Sequence, residues 1–252
     1  MASVQVFADA DELSDAAADL VVLRAAAAIA SDGRFTLVLS GGSTPRRLYG
    51  RLASPRCRDR IEWAQVHLFW GDERCVPPAD AASNYRMARE VLIDHVPIPP
   101  AQVHRIRGEA DPATAAAEYE WTLRSILRGR DGQETTPPGF DVVLLGLGRD
   151  GHTASLFPGK TAGRETTRWV VAEYVEPQAM WRVTLAPPII NAAQTVVFLV
   201  AGSDKAEALA AVLEGPATPD VLPAQRIKPG GAGPLWMVDR AAAARLAGHE
   251  SP

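Results

Sequence analysis

Residues 140–159 read FDVVLLGLGRDGHTASLFPG, and this stretch decides the fold. Phe140, Val142, Val143, Leu144 and Leu145 form a short apolar run rich in β-branched side chains. A strand without polar alternation is covered on both faces, and such strands belong to parallel sheets flanked by helices. Gly146, Gly148 and Gly151 end the run and place Asp150 and His152 just past its carboxyl end. Open α/β sheets hold their ligand crevices there, so this turn reads as the active site.

Outward from it, apolar runs at residues 4–8, 35–39, 66–70, 194–200 and 235–238 predict further strands. Helical patterns alternate with them at residues 11–31, closed by Gly33, and at 45–53, opened by Pro45. Others cover 84–94 behind the cap Ser83, 112–128 behind Asp111, a segment from Lys205 to Glu214, and 239–246. Residues 169–174 and 182–185 read as a small antiparallel excursion covering one end of the site. Residues 129–139, polar and rich in glycine and proline, read as a surface connection. The expectation is one α/β domain over residues 1–252, a mostly parallel sheet with helices on both faces and that excursion.

Two more strand ends carry chemistry. The second runs into Ser40, Gly41, Gly42, Ser43 and Thr44, whose glycines let amides turn outward at a helix N-terminus while the hydroxyls add donors. Such a loop can cradle a phosphate, and it reads equally as an ordinary βα turn. The third ends in Gly71, Asp72, Glu73 and Arg74, and Lys205 opens a helix at the same sheet edge. Clusters that share one edge should converge.

Composition narrows the classes. An apolar fraction of 47% with 22% charged residues fits a folded globular chain, and a net charge of −4 gives no sign of nucleic-acid binding. No stretch approaches the ~18 apolar residues of a membrane span, and no basic start followed by an apolar core opens the chain, so a cytoplasmic location is expected. Cys57 and Cys75 read as free thiols. The only lysines are Lys160, Lys205 and Lys228, so the arginine excess is a compositional bias.

Gly146, Gly148 and Gly151 spell G-x-G-x-x-G, but Pro158 and Gly159 interrupt the long helix that a dinucleotide turn needs. Asp150 would also set a negative charge beside the phosphates. Gly41 to Pro45 approach the nucleophile elbow G-x-S-x-G, with proline in place of the last glycine, which leaves a serine hydrolase as an alternative. Asp72, Glu73, Asp150 and His152 lack a diagnostic metal spacing, so no metal is expected. His67 shares a strand face with Phe69 and reads as a satisfied core or rim histidine, whereas His95, His104 and His249 fall in loops or near the terminus.

Taken together these stretches resemble the 6-phosphogluconolactonase family and its relatives, the glucosamine-6-phosphate deaminases and isomerases. The resemblance runs nearly end to end. It rests on LSGGSTP from Leu39, WGDER from Trp70, SNY from Ser83 and LGLGRDGHTASLFPG from Leu145. RVTL from Arg182, Asn191, the turn from Gly202 to Lys205 and LPAQ from Leu222 complete it. It implies a Rossmann-like fold, a phosphorylated sugar lactone as the small-molecule substrate and hydrolysis of 6-phospho-D-glucono-1,5-lactone in the pentose phosphate pathway. The deaminase pattern carries a glutamate where this chain has Phe157, and an aromatic residue where it has Arg74, so both positions favour the lactonase.

A δ-lactone is an activated ester that water attacks directly, so a base and an anchor suffice without a cofactor. His152 is expected as the base, with Asp150 orienting it. Gly41, Gly42, Ser43, Thr44, Asp72, Arg74, Arg182 and Lys205 are expected around the substrate, Arg74 either on the phosphate or polarising the carbonyl. A monomer or weak homo-oligomer is expected. An amino sugar phosphate deaminase and a silent sugar-phosphate sensor are the other readings.

Overall fold

The computed structural model describes residues 3–127 and 139–247. The main sheet contains β1 (Ser3–Phe7), β2 (Phe35–Leu39) and β3 (Val66–Trp70), while the short β4 (Asp72–Arg74) leaves it. The main sheet continues with β5 (Val103–His104) and β6 (Val142–Leu145); β7 (Val170–Val175) and β8 (Met180–Leu185) join β4, and β9 (Thr195–Val200) and β10 (Leu235–Asp239) return. The helices are α1 (Ala10–Asp32), α2 (Ser43–Ala53), α3 (Pro55–Arg58), α4 (Asn84–Val91), α5 (Pro112–Ile126), α6 (Pro187–Asn191), α7 (Ala206–Glu214) and α8 (Arg240–Ala243).

Seven strands pair in parallel in the order β1-β10-β9-β6-β2-β3-β5. From β2 the chain builds outward to β3 and β5, and from β6 it builds the other way to β9 and β10. The neighbours β2 and β6 therefore flank the switch point, where diverging connections leave a crevice. Their carboxyl ends lead into the Ser40–Thr44 loop and the Gly146–Gly151 turn. Every residue of β2 and β6 is buried, as the unbroken apolar runs predicted.

Local signals account for most boundaries. Asp9 accepts hydrogen bonds from the amides of Asp11 and Glu12 to cap α1, and Gly33 ends it at φ 69°. Ser83 and Asp111 cap α4 and α5 as expected. Two buried tyrosines close the main sheet: the Tyr49 hydroxyl accepts from the Ser40 amide and donates to its carbonyl, each at 2.8 Å. Tyr119 does the same for Trp70 at 2.8 and 3.0 Å. These bonds satisfy backbone groups where the chain departs from its ladder, and so stiffen two loops of the site.

Two features depart from the expectation. The polar cluster after β3 is itself a strand: β4 pairs antiparallel with β8, and β8 with β7, to make a second sheet of order β4-β8-β7. Gly71 is the corner, its amide donating to Leu39 of the main sheet and its carbonyl accepting from Leu185 of the second, both at 2.8 Å. His104, expected in a loop, lies in β5 with its Nε2 3.0 Å from His67 Nδ1, so His67 is a partnered histidine. His249 and residues 129–138 of the expected connection lie outside the described residues.

Candidate active site

The turn after β6 is wound tightly around its imidazole. The Gly148 amide donates to the His152 carbonyl at 2.8 Å, and the Gly151 amide donates back to Gly148 at 3.1 Å with Gly151 at φ +77°. Asp150 Oδ1 accepts from the His152 amide at 3.2 Å and lies 2.5 Å from His152 Nδ1. That contact uses Nδ1–H as donor and leaves Nε2 with the lone pair. Burial pushes the Asp150 carboxyl up, but the hydrogen bond and charge of His152 and two backbone amides outweigh it and hold the carboxyl below its ordinary value. A Cβ on Gly148 would stand 2.0 Å from His152 Nδ1 and 2.6 Å from Asp150 Oδ1, so the pair fits only over glycine.

A segment that the sequence reading matched without giving it a role holds this turn from outside. The Ala224 amide donates to the Gly151 carbonyl at 3.0 Å, and Leu222 packs where a Gly151 side chain would go. Thr153 Oγ1 donates to the Gly146 carbonyl at 2.9 Å.

The second wall centres on Asp72, which is 5% exposed. Its Oδ2 accepts from Ser155 Oγ at 2.6 Å and from Arg182 Nη1 at 3.4 Å, and its Oδ1 from Asn84 Nδ2 at 3.2 Å. Asn84 in turn fills the space beside Gly41, where a Cβ would meet its Oδ1 at 2.1 Å. The loop after β2, the start of α4, β4, β8 and the His152 turn thus meet through one buried network. Asn84 and Ser155 were absent from the predicted site; each stands in a matched stretch, SNY and TASLF, whose side-chain contacts only the tertiary fold shows. Glu73 has a different job: it accepts from Ser83 Oγ and from the amides of Arg74, Asn84 and Tyr85, and so is committed to the start of α4. Burial pushes its carboxyl up against those hydrogen bonds.

The predicted cations fall in two groups. Arg74 and Arg182 are directly opposed across the β4–β8 ladder, an arrangement of like charges that is unfavourable unless an anion is shared. Asp72 supplies one such charge to Arg182, whose guanidinium burial holds below its ordinary value and whose second nitrogen donates to Gln178. Arg74 Nη1 donates to the Ala82 carbonyl, yet the Nε of both arginines is buried without a partner. Lys205 stands apart, in a 3-10 turn before α7 with Nζ 3.6 Å from Asp204 Oδ2. Arg149 of the His152 turn also reaches Asp204, at 2.8 Å, and links the loops after β6 and β9. Gly42 precedes α2 at φ 114°, and Ser43 and Thr44 form its first turn, two residues earlier than the expected start at Pro45.

Among the described residues no three His, Cys, Asp or Glu side chains are grouped to hold a metal ion. A cavity of about 680 Å³ between α5, β7 and β8, lined by Trp121, Arg124 and Trp181, shares none of the site residues.

A doubly wound parallel sheet with a carboxylate–imidazole turn at its switch point places the chain among the α/β proteins. Residues 8–236 match the model of the family described as glucosamine-6-phosphate isomerases/6-phosphogluconolactonase, and the chain belongs to that family. A 6-phosphogluconolactonase of Nostoc sp. is 40% identical over 245 residues, which cover 97% of this chain and 98% of the relative. One from Mycobacterium tuberculosis is 40% identical over 250 residues, with the same coverage of 97% and 98%. The solved 6-phosphogluconolactonase of Trypanosoma brucei superposes with a TM-score of 0.85 at 33% identity, covering 98% of this chain and 99% of its own.

Proposed function

We propose that the chain hydrolyses 6-phospho-D-glucono-1,5-lactone to 6-phospho-D-gluconate in the oxidative pentose phosphate pathway, with His152 as general base. Near-full-length similarity to 6-phosphogluconolactonases supports the reaction. The observation that carries the mechanism is the Asp150–His152 contact, which reserves Nε2 for a proton while an arginine pair with unpartnered donors stands on the neighbouring strands.

His152 Nε2 takes a proton from the water that attacks the lactone carbonyl carbon, and a tetrahedral oxyanion forms. As it collapses, the bond from that carbon to the ring oxygen breaks, and the proton held on Nε2 passes to the departing oxygen. Asp150 holds Nδ1–H throughout and stabilises the imidazolium between the two transfers. Arg74, Arg182 and Lys205 offer charge-assisted hydrogen bonds to the phosphate, joined by Ser43, Thr44 and the amides that follow Gly41 and Gly42 at the N-terminus of α2. Alternatively, Arg74 polarises the carbonyl. Asp72 holds Arg182 rather than acting on water, because its oxygens are already engaged.

Among the described residues no helix is long and apolar enough to cross a membrane. The deaminase reading lacks its carboxylate, since Phe157 stands there.

The test is hydrolysis of freshly generated 6-phosphogluconolactone, read as acceleration over the spontaneous rate. Unphosphorylated gluconolactone and EDTA-treated enzyme run alongside. EDTA-insensitive turnover of the phosphorylated lactone alone is expected, and no acceleration overturns the proposal.

A further inference from the structure

Phe157 stands where the deaminase pattern has a carboxylate, and its ring meets both the imidazole and a guanidinium of the candidate site. Its plane lies against His152 with the ring centroids 4.3 Å apart and an interplanar angle of 29°. Arg182 Cζ is 5.5 Å from the Phe157 centroid. The ring is 8% exposed and its backbone is fixed: the preceding Leu156 is fully buried and donates to Thr153 at 2.9 Å, and the Phe157 carbonyl accepts from Lys160 at 3.2 Å.

We propose that Phe157 is a positioning residue, the platform that fixes the His152 ring, and so the direction of Nε2, relative to Arg182. This rests on His152 being the base. The Asp150 contact and the close approach to Gly148 restrain the Nδ1 edge of the imidazole, but the Asp150 side chain is 48% exposed and these contacts leave the ring free to tilt about that edge. A flat surface against the ring face removes that freedom, as an aliphatic side chain cannot. The face of a benzene ring is also its negative region, so it favours the imidazolium that exists between the two proton transfers as well as the nearby guanidinium. A carboxylate at this position would instead form an ion pair with either cation and draw it from its place.

The experiment compares wild type, Phe157→Leu, Phe157→Tyr and His152→Ala on 6-phosphogluconolactone, with thermal unfolding and the proton NMR signal of the imidazole Cε1–H recorded for each. His152→Ala identifies that signal by its loss. Phe157→Leu is expected to lower kcat by about 3- to 10-fold, the rate equivalent of an aromatic pair, with KM changed by less than about 2-fold. Phe157→Tyr should recover most of the loss. The Cε1–H signal, shifted upfield over the ring in wild type, should move downfield in Phe157→Leu and return in Phe157→Tyr. If Phe157→Leu folds poorly, Phe157→Met carries the same comparison. Wild-type kcat with an unmoved signal in the folded aliphatic variant overturns the platform, as does a loss confined to KM. Near-normal kcat in His152→Ala overturns the base assignment instead, and the two failures are read on different variants.

Discussion

Ser155 donates a 2.6 Å hydrogen bond to Asp72 across 83 residues of sequence. The bond joins the turn after β6 to the first strand of the second sheet, so the two sheets meet inside the site. Removing it leaves Asp72 Oδ2 with only the longer contact to Arg182, at 3.4 Å. Ser155→Ala should therefore destabilise the fold by about 1.5 to 3 kcal/mol, the usual range for a buried hydrogen bond to a charged group. Urea unfolding measures it, and a loss below about 0.5 kcal/mol would place the bond among ordinary surface contacts.

Gly148→Ala tests the tightness of the Asp150–His152 pair. The added methyl would stand 2.0 Å from His152 Nδ1, so the imidazole must move by an ångström or more. Displacement on that scale lowers kcat by about 100-fold. Steady-state kinetics with circular dichroism separate this from unfolding; a folded variant with wild-type kcat would show that the pair tolerates displacement.

How much of this was legible in the sequence depends on the range of the interactions. The strands β2, β3, β6, β9 and β10 announce themselves because burial on both faces removes polar alternation, and the glycine turns after them mark the sheet edge. Asp150 and His152 are two residues apart, so their pairing is a local property. By contrast β4 is three charged residues whose partner strand lies about 110 positions away, as the Asp72–Arg182 contact shows, and no local pattern encodes it. The same holds for β5, only two residues long, and for the contacts of Asn84 with Gly41 and of Phe157 with Arg182. The polar residues at the sheet edge could be read directly, but which of them touch could not.

The His67–His104 contact makes stability depend on acidity. At 3.0 Å the two nitrogens share one proton between a donor and a lone pair. Burial first, and the charge of His67 second, hold His104 down to about 4, while burial and then Arg34 hold His67 below its ordinary value. Unfolded imidazoles titrate near about 6.5, so below that pH the unfolded chain binds protons that the folded chain excludes. The stability present above pH 6.5 is therefore lost as pH falls toward about 4. Glu73, raised by burial, acts with the opposite sign, so the comparison between variants isolates the histidines. His104→Gln should reduce the pH slope of the unfolding free energy by about one proton in this window; an unchanged slope contradicts the pairing.

Lys205 is predicted to act through substrate binding. Its neighbour Asp204 keeps Arg149 at 2.8 Å when the lysine is removed, so the local structure should survive in Lys205→Ala. Loss of one charge-assisted hydrogen bond to phosphate corresponds to a fall of about 10- to 100-fold in kcat/KM. Unphosphorylated gluconolactone should show no comparable change, and an equal loss on both substrates would remove Lys205 from the phosphate.

Proton transfer by His152 is read from the kcat of His152→Ala on freshly generated 6-phosphogluconolactone, corrected for spontaneous hydrolysis. A fall of about 10² to 10⁴ is expected, with KM little changed, because the proposed phosphate ligands stay in place. A kcat near that of wild type would contradict it and return the choice of base to the remaining groups of the crevice.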